Sequence, residues 1–241
     1  MFKKFAITLF CASVISMPAF CAECQESIIT TEASINREVS PDTAKIRFNV
    51  ENSGLNLTSL KEKNDKIVND AIKAIKAILN ENESIKTIAF NVRNVYYYKD
   101  KVRVFQKYEV SNGFEVKLKD LDKVSKVINL AMENGVKNVN NVNFSVENSE
   151  QVCNEMMAEA VKMGKTRVQH LASVAGTTLD KVKSINPYCS LSSSHVQPRM
   201  NKVYMANATM DSVASGAPEL ETIEPGTINA RASVNMVYYL K

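Results

Sequence analysis

The sequence predicts an α+β fold: a largely antiparallel sheet of hairpins with three helices packed on one face. Three observations carry this reading. Period-two alternation recurs in neighbouring segments joined by short turns, which favours antiparallel pairing. Three longer segments place apolar residues on one helical face only, so each needs a sheet to cover. The order is two strands, helix, two strands, helix, strand, long helix, strand, loop and strand, with hairpins dominating.

Ile28 to Val39 reads as a first strand, and Pro41-Asp42 as a turn, since Pro fixes φ and Asp bonds nearby backbone. Ala44, Ile46, Phe48 and Val50 then alternate with Lys45, Arg47, Asn49 and Glu51, a strand with one wet face. These two runs are expected to form a hairpin. Ser59 and Glu62 have capping-box spacing. After them Leu60, Ile67, Val68, Ala71, Ile72, Ile75, Ile78 and Leu79 share one helical face, with Asn64, Lys66, Lys73 and Lys76 largely elsewhere.

Ile85 to Tyr98 and Val102 to Leu118 are two long strands that reverse at Lys99-Asp100-Lys101. Asp120 is the expected cap of a second helix running to Met132, which Asn134-Gly135 ends because Gly accepts the left-handed exit conformation. Val139 to Val146 is a short strand. A third helix spans about Glu150 to Ala175 and stops at Gly176. Lys181 to Leu191 reads as a strand, and 192–221 as a long irregular loop of the kind that is functional, disordered or an interface arm. Thr227 to Leu240 closes the chain, with Ile228, Ala230, Ala232, Val234, Met236 and Tyr238 on one face. Residues 28–240 are thus expected to form one domain.

The N-terminus has the layout of a secretory signal peptide. Lys3 and Lys4 precede an uncharged stretch from Phe5 to Phe20, Pro18 breaks it, and Ala19-Phe20-Cys21 puts small residues three and one before a cut. The stretch is at the short end of the roughly 20 residues that span about 30 Å of hydrocarbon. Segment 1–21 is therefore expected to be cleaved, after Cys21 or Ala22. No later segment is apolar enough to span a bilayer, and the exported chain is expected to be soluble and periplasmic.

Composition narrows the function. A cut after Cys21 leaves 28 Lys and Arg, down from 30, against 26 Asp and Glu. With no dense basic block, nucleic acid is not an expected partner. Lys61-Glu62-Lys63 and Lys99-Asp100-Lys101 read as solvated, mixed-sign surface. Cys21 and Cys24 have redox-motif spacing, but the expected cut separates them. Cys24, Cys153 and Cys189 remain, enough for one disulfide and one free thiol in an oxidising compartment. Spacing does not assign the pair; Cys153 and Cys189 are the candidates.

Several short stretches, in order, resemble one family. They are Ser40-Pro41-Asp42 with Ala44; Tyr108 through Ser111-Asn112 leading to Val116 and Asp120-Leu121-Asp122-Lys123-Val124; Gly135 followed by Val142-Asn143-Phe144-Ser145-Val146; Leu171-Ala172 with Ala175-Gly176; and Glu224-Pro225-Gly226 with Ile228, Ala232 and Val234. Together they resemble the SIMPL-domain family of bacterial envelope proteins over about 28–240. Two departures stand out: no glycine near Thr31-Glu32, and Gly164 within the long helix where the family favours alanine, at a cost of about 1 kcal/mol. The resemblance implies a periplasmic or outer-membrane-associated protein. Some members are linked to oxidative-stress defence, and some form ring-like homo-oligomers and are prominent antigens. The family has no agreed catalytic residues, so none is carried over.

The residues themselves offer no catalytic constellation. His170 and His195 are the two histidines, and His170, beside Leu171 in the long helix, reads as structural. No zinc-protease, nucleophile-elbow or phosphate-loop motif occurs, and the chain is expected to be non-enzymatic, with no cofactor. Glu155 and Glu159, one turn apart, read as a solvated face. His195, Met200, Met205 and Met210 recur every five residues near Cys189, a soft set that suits Cu(I). The plainer reading is a methionine-rich arm packing on the body or on a neighbouring subunit. Tyr96, Tyr97 and Tyr98 at a hairpin tip suit a subunit interface. The expected role is thus a self-assembling envelope protein with an outer-membrane or envelope partner. The alternative is a periplasmic metal- or small-ligand-binding module centred on 189–210.

Overall fold

The computed structural model describes residues 26–192, 194–196 and 223–241. The elements run β1 (Ile28–Val39), β2 (Thr43–Gly54), α1 (Leu57–Lys76), β3 (Ser84–Lys99), β4 (Val102–Leu118), α2 (Lys123–Glu133), β5 (Asn138–Ser145), α3 (Ser149–Val174), β6 (Leu179–Leu191), β7 (Ser194–Val196) and β8 (Ile228–Leu240). Every strand pairing is antiparallel, and the fold is α+β. The strands divide between two sheets: five strands in the order β3-β4-β2-β5-β7, and three in the order β1-β8-β6.

Each sheet has its own cover. Ile46, Phe48 and Val50 of β2 and Phe114, Val116 and Leu118 of β4 bury one face of the larger sheet under α1 and α2. Phe48 and Phe114 stack at its centre, with ring centroids 4.9 Å apart. On the smaller sheet the alternate residues Ile228, Ala230, Ala232, Val234, Met236 and Tyr238 of β8 are all buried. Ala160 and Val168 of α3 pack against them and Ala33, and Met156 packs against Ala230 and Ala232. Gly164 sits at that crossing. A Cβ there would lie 2.1 Å from Met236 Cε and 3.4 Å from Ala33 Cβ, so close helix–sheet approach accounts for this glycine.

The expected hairpin between the first two strands does not form. β1 pairs along its whole length with β8, and β2 lies between β4 and β5. A short link lowers the cost of local pairing, but β8 offers a continuous apolar ladder that β1 completes under α3. Asp42 therefore serves a junction rather than a hairpin turn: its Oδ1 accepts from Glu147 N at 2.8 Å, and its own N–H donates to Ser145 O. Glu147 accepts from Lys117 and Lys119, which hold its carboxyl down at about 2.

The helix caps also differ from expectation. Asn56, not Ser59, caps α1, its Oδ1 accepting from Ser59 N at 3.1 Å. Asp120 folds back on Asp122 N instead of capping α2, which starts at Lys123. Gly135 and Gly176 take positive φ (92° and 73°) at the ends of α2 and α3, as expected. The stretch expected as an irregular loop at 192–221 opens with a strand: Ser194–Val196 pairs with Val142–Phe144. The leader, Cys21, Cys24 and most of that stretch lie outside the described residues.

Candidate functional surface on the β3–β4 hairpin

β2 ends at Gly54 opposite Tyr108, so residues 95–107 of β3 and β4 pair only with each other. At about 3.3 Å per residue this two-stranded ribbon stands roughly 20 Å beyond the sheet. Such a ribbon is marginal in water by itself. Its turn is the two residues Asp100 and Lys101, both at positive φ (49° and 66°), the geometry that matches hairpin twist. That geometry favours Asn or Gly, yet Lys101 occupies the second place.

β3 is an edge strand with apolar side chains in the open. Ile88, Phe90 and Val92 are 44%, 51% and 40% exposed. Phe90 and Val92 lie opposite Asn112 and Val110, whose side chains face the core, but α1 packs on β4 and β2 instead. α1 is held there partly by Asn64, which the helical period places largely outside the apolar face. It is fully buried and donates to Val50 O at 2.9 Å and Val110 O at 3.3 Å. Its Nδ2 thus ties α1 to both strands, while its Oδ1 is buried with no partner among the described residues.

The other face of the larger sheet is a charge ladder. Glu115, nearly fully buried, is bridged by Arg47 at 2.8 Å and Lys86 at 3.1 Å. Glu109 pairs with Arg93. Glu51 shares a hydrogen bond with Glu109 and keeps its proton to higher pH than an ordinary carboxyl. Glu109 is held ionised by that bond and by Arg93. Towards the tip, Arg93, Tyr96, Tyr98, Arg103, Lys107 and Glu109 line a shallow basin of about 490 Å³. Arg103 lies over the Tyr96 ring, 3.8 Å from its centroid, and Tyr96 meets Phe105 edge-on. Tyr98 is 75% exposed.

The structure brings some sequence candidates together and separates others. Tyr96 and Tyr98 share the basin, and Tyr97 is outside its lining. Cys153 of α3 and Cys189 of β6 are joined by a disulfide. That bond takes the Cys189 sulfur out of the soft-ligand set with His195, which lies on β7 opposite Asn143. Met200, Met205 and Met210 lie outside the described residues. Among the described residues no three His, Cys, Asp or Glu side chains converge on a metal position. His170 and Glu155 are exposed, and Glu159 pairs with Arg37 of β1 at 2.8 Å. A second cavity, about 530 Å³, lies over the disulfide and is lined by Val146, Met157, Leu191 and Ile228 among others. The basic side chains of the basin, Arg93, Arg103 and Lys107, were hidden in the sequence. The tip reads locally as mixed-sign surface, and only a count across both strands of the hairpin reveals them.

The family model described as "SIMPL: Protein of unknown function (DUF541)" matches residues 29–238. The chain belongs to the SIMPL family. Two relatives of this SIMPL chain are each called "26 kDa periplasmic immunogenic protein", one from Brucella melitensis biotype 1 and one from Brucella abortus (strain S19). Each is 24% identical over 244 residues, covering 97% of this chain and 94% of the relative. The match thus extends across both sheets and the hairpin. No helix among the described residues is long and apolar enough to cross a membrane.

Proposed function

We propose that this SIMPL chain is a non-catalytic periplasmic protein that self-assembles through the β3–β4 hairpin and contributes to envelope or oxidative-stress tolerance. One observation carries the assembly: a sixteen-residue edge strand keeps Ile88, Phe90 and Val92 in water. A long apolar edge is a template for another strand and is normally blunted or covered. The name of the Brucella relatives and the leader-like N-terminus support the compartment. The stress role rests on the family resemblance alone. A Phe90→Ser/Val92→Ser variant is expected to associate 30- to 100-fold more weakly, as two half-exposed apolar side chains contribute about 2–3 kcal/mol at a contact. Light scattering across a dilution series reads this. The same assembled mass in variant and wild type removes the hairpin edge from the interface, and the Tyr96, Tyr97 and Tyr98 to Ser variant tests the tip likewise.

The cavity over Cys153–Cys189 favours a second reading, a small-ligand module that uses 189–192 at the start of the 189–210 region. Its volume falls within the usual range for ligand pockets. An apolar compound is then expected to raise the melting temperature of the wild type and not of Met157→Lys. A panel of such compounds that leaves both unchanged ends this reading.

A further inference from the structure

We propose that the projecting end of the β3–β4 hairpin docks on a bilayer surface by binding the phosphates of anionic lipids. The first ground is charge. Between positions 93 and 109 the chain carries Arg93, Lys99, Lys101, Arg103 and Lys107 against Asp100 and Glu109. The full chain has an excess of only four cations, so this short ribbon holds most of the imbalance. On the body of the same sheet, by contrast, the cations sit on carboxylates, Arg47 and Lys86 on Glu115, and Lys117 and Lys119 on Glu147. Among the described residues, Arg93 is the tip cation with a carboxylate within salt-bridge distance. Arg103 is spent on an aromatic face, and Lys107 donates to the Ser53 hydroxyl.

The second ground is shape and polarity. The basin gathers Arg93, Arg103 and Lys107 with the phenols of Tyr96 and Tyr98, donors that suit a phosphate, and the Glu109 carboxylate in the same lining is bridged by Arg93. Two side chains near the tip stand open among the described residues: Tyr98 of the basin at 75% exposure, and Val102, across from Lys99 on the other face of the ribbon, at 63%. A layer of phosphate above hydrocarbon matches this pairing of cations with exposed rings, because Tyr settles at the headgroup level while Lys and Arg meet the phosphates. The third ground is reach: the ribbon projects roughly 20 Å past the sheet, so its tip meets a flat surface without the body in the way. Docking at the tip is separate from assembly at Ile88, Phe90 and Val92.

Flotation of protein purified from the cell envelope with phosphatidylcholine vesicles, with and without phosphatidylglycerol, tests this. Binding is expected only to vesicles containing phosphatidylglycerol. It should fall when salt rises from about 0.1 M to about 1 M, as screening shortens from roughly 10 to 3 Å. A Lys99→Gln/Lys101→Gln/Arg103→Gln variant should bind roughly 100-fold more weakly, at about 1 kcal/mol per basic side chain near the surface. These positions are exposed, and unchanged circular dichroism and assembled mass in the variant would show that fold and assembly survive. Equal flotation with both vesicle types, none with either, or equal binding by variant and wild type overturns the docking proposal. A loss of assembled mass in Phe90→Ser/Val92→Ser with lipid binding retained bears on assembly alone.

Discussion

Glu83→Ala is expected to lower the unfolding free energy by about 3–5 kcal/mol, the scale for breaking a buried charge pair. The Glu83 side chain is fully buried between α1, β3 and the turn into α2. Its Oε2 accepts from Asn80 N at 2.8 Å and Lys123 Nζ at 3.1 Å, and its Oε1 accepts from Lys119 N and Asp120 N, both at 3.0 Å. Truncation leaves three backbone donors without their acceptor and Lys123 with only the more distant Asp120 carboxylate at 3.9 Å. Burial pushes the carboxyl up, but the backbone donors and Lys123 outweigh it and hold it below the ordinary range. The sign follows: this contribution is present above the unfolded value of about 4.3 and is lost as pH falls through the lower folded value. Urea unfolding at neutral pH should show a lower midpoint with unchanged slope. The gap between wild type and Glu83→Gln should narrow as pH falls below 4. A midpoint unmoved by Glu83→Ala would mean the turn finds other acceptors.

Removing the Cys153–Cys189 disulfide by a double Ala substitution should cost about 2–4 kcal/mol. The bond closes a loop with a sequence separation of 36, and the unfolded chain gains that freedom when it is absent. It also ties the first half of α3 to the end of β6, beside the cavity that both elements line. Calorimetry of the double variant and of reduced wild type should give the same fall in melting temperature. A double variant as stable as the oxidised protein would show that α3 is held by its packing on β1, β8 and β6 without the bond.

Much of the fold was legible because it rests on periodicity. Ala44, Ile46 and Phe48, or the six alternating residues of β8, reveal their buried face from alternation alone, since burial at every second position is the same physical event wherever the strand pairs. The hairpin and its tyrosines were legible for the same reason. What failed was partner choice. Ser40–Asp42 looks like a turn between paired strands, yet β1 belongs to β8, nearly two hundred residues away in sequence. Asn64 falls largely outside the apolar helical face by period, because a polar side chain gives no sign that backbone groups of another element await it.

The α+β class, the positions of the helices and long strands, the SIMPL resemblance and the aromatic tip are readable from the order of residues. These depend on local spacing, which a chain carries unfolded. Only the tertiary structure decided that the strands split into two sheets, that Gly164 lies where α3 meets Met236, and that Arg93, Arg103 and Lys107 gather around Tyr96 and Tyr98. Those outcomes depend on which distant faces bury each other, and on the register that then brings separate side chains to one place.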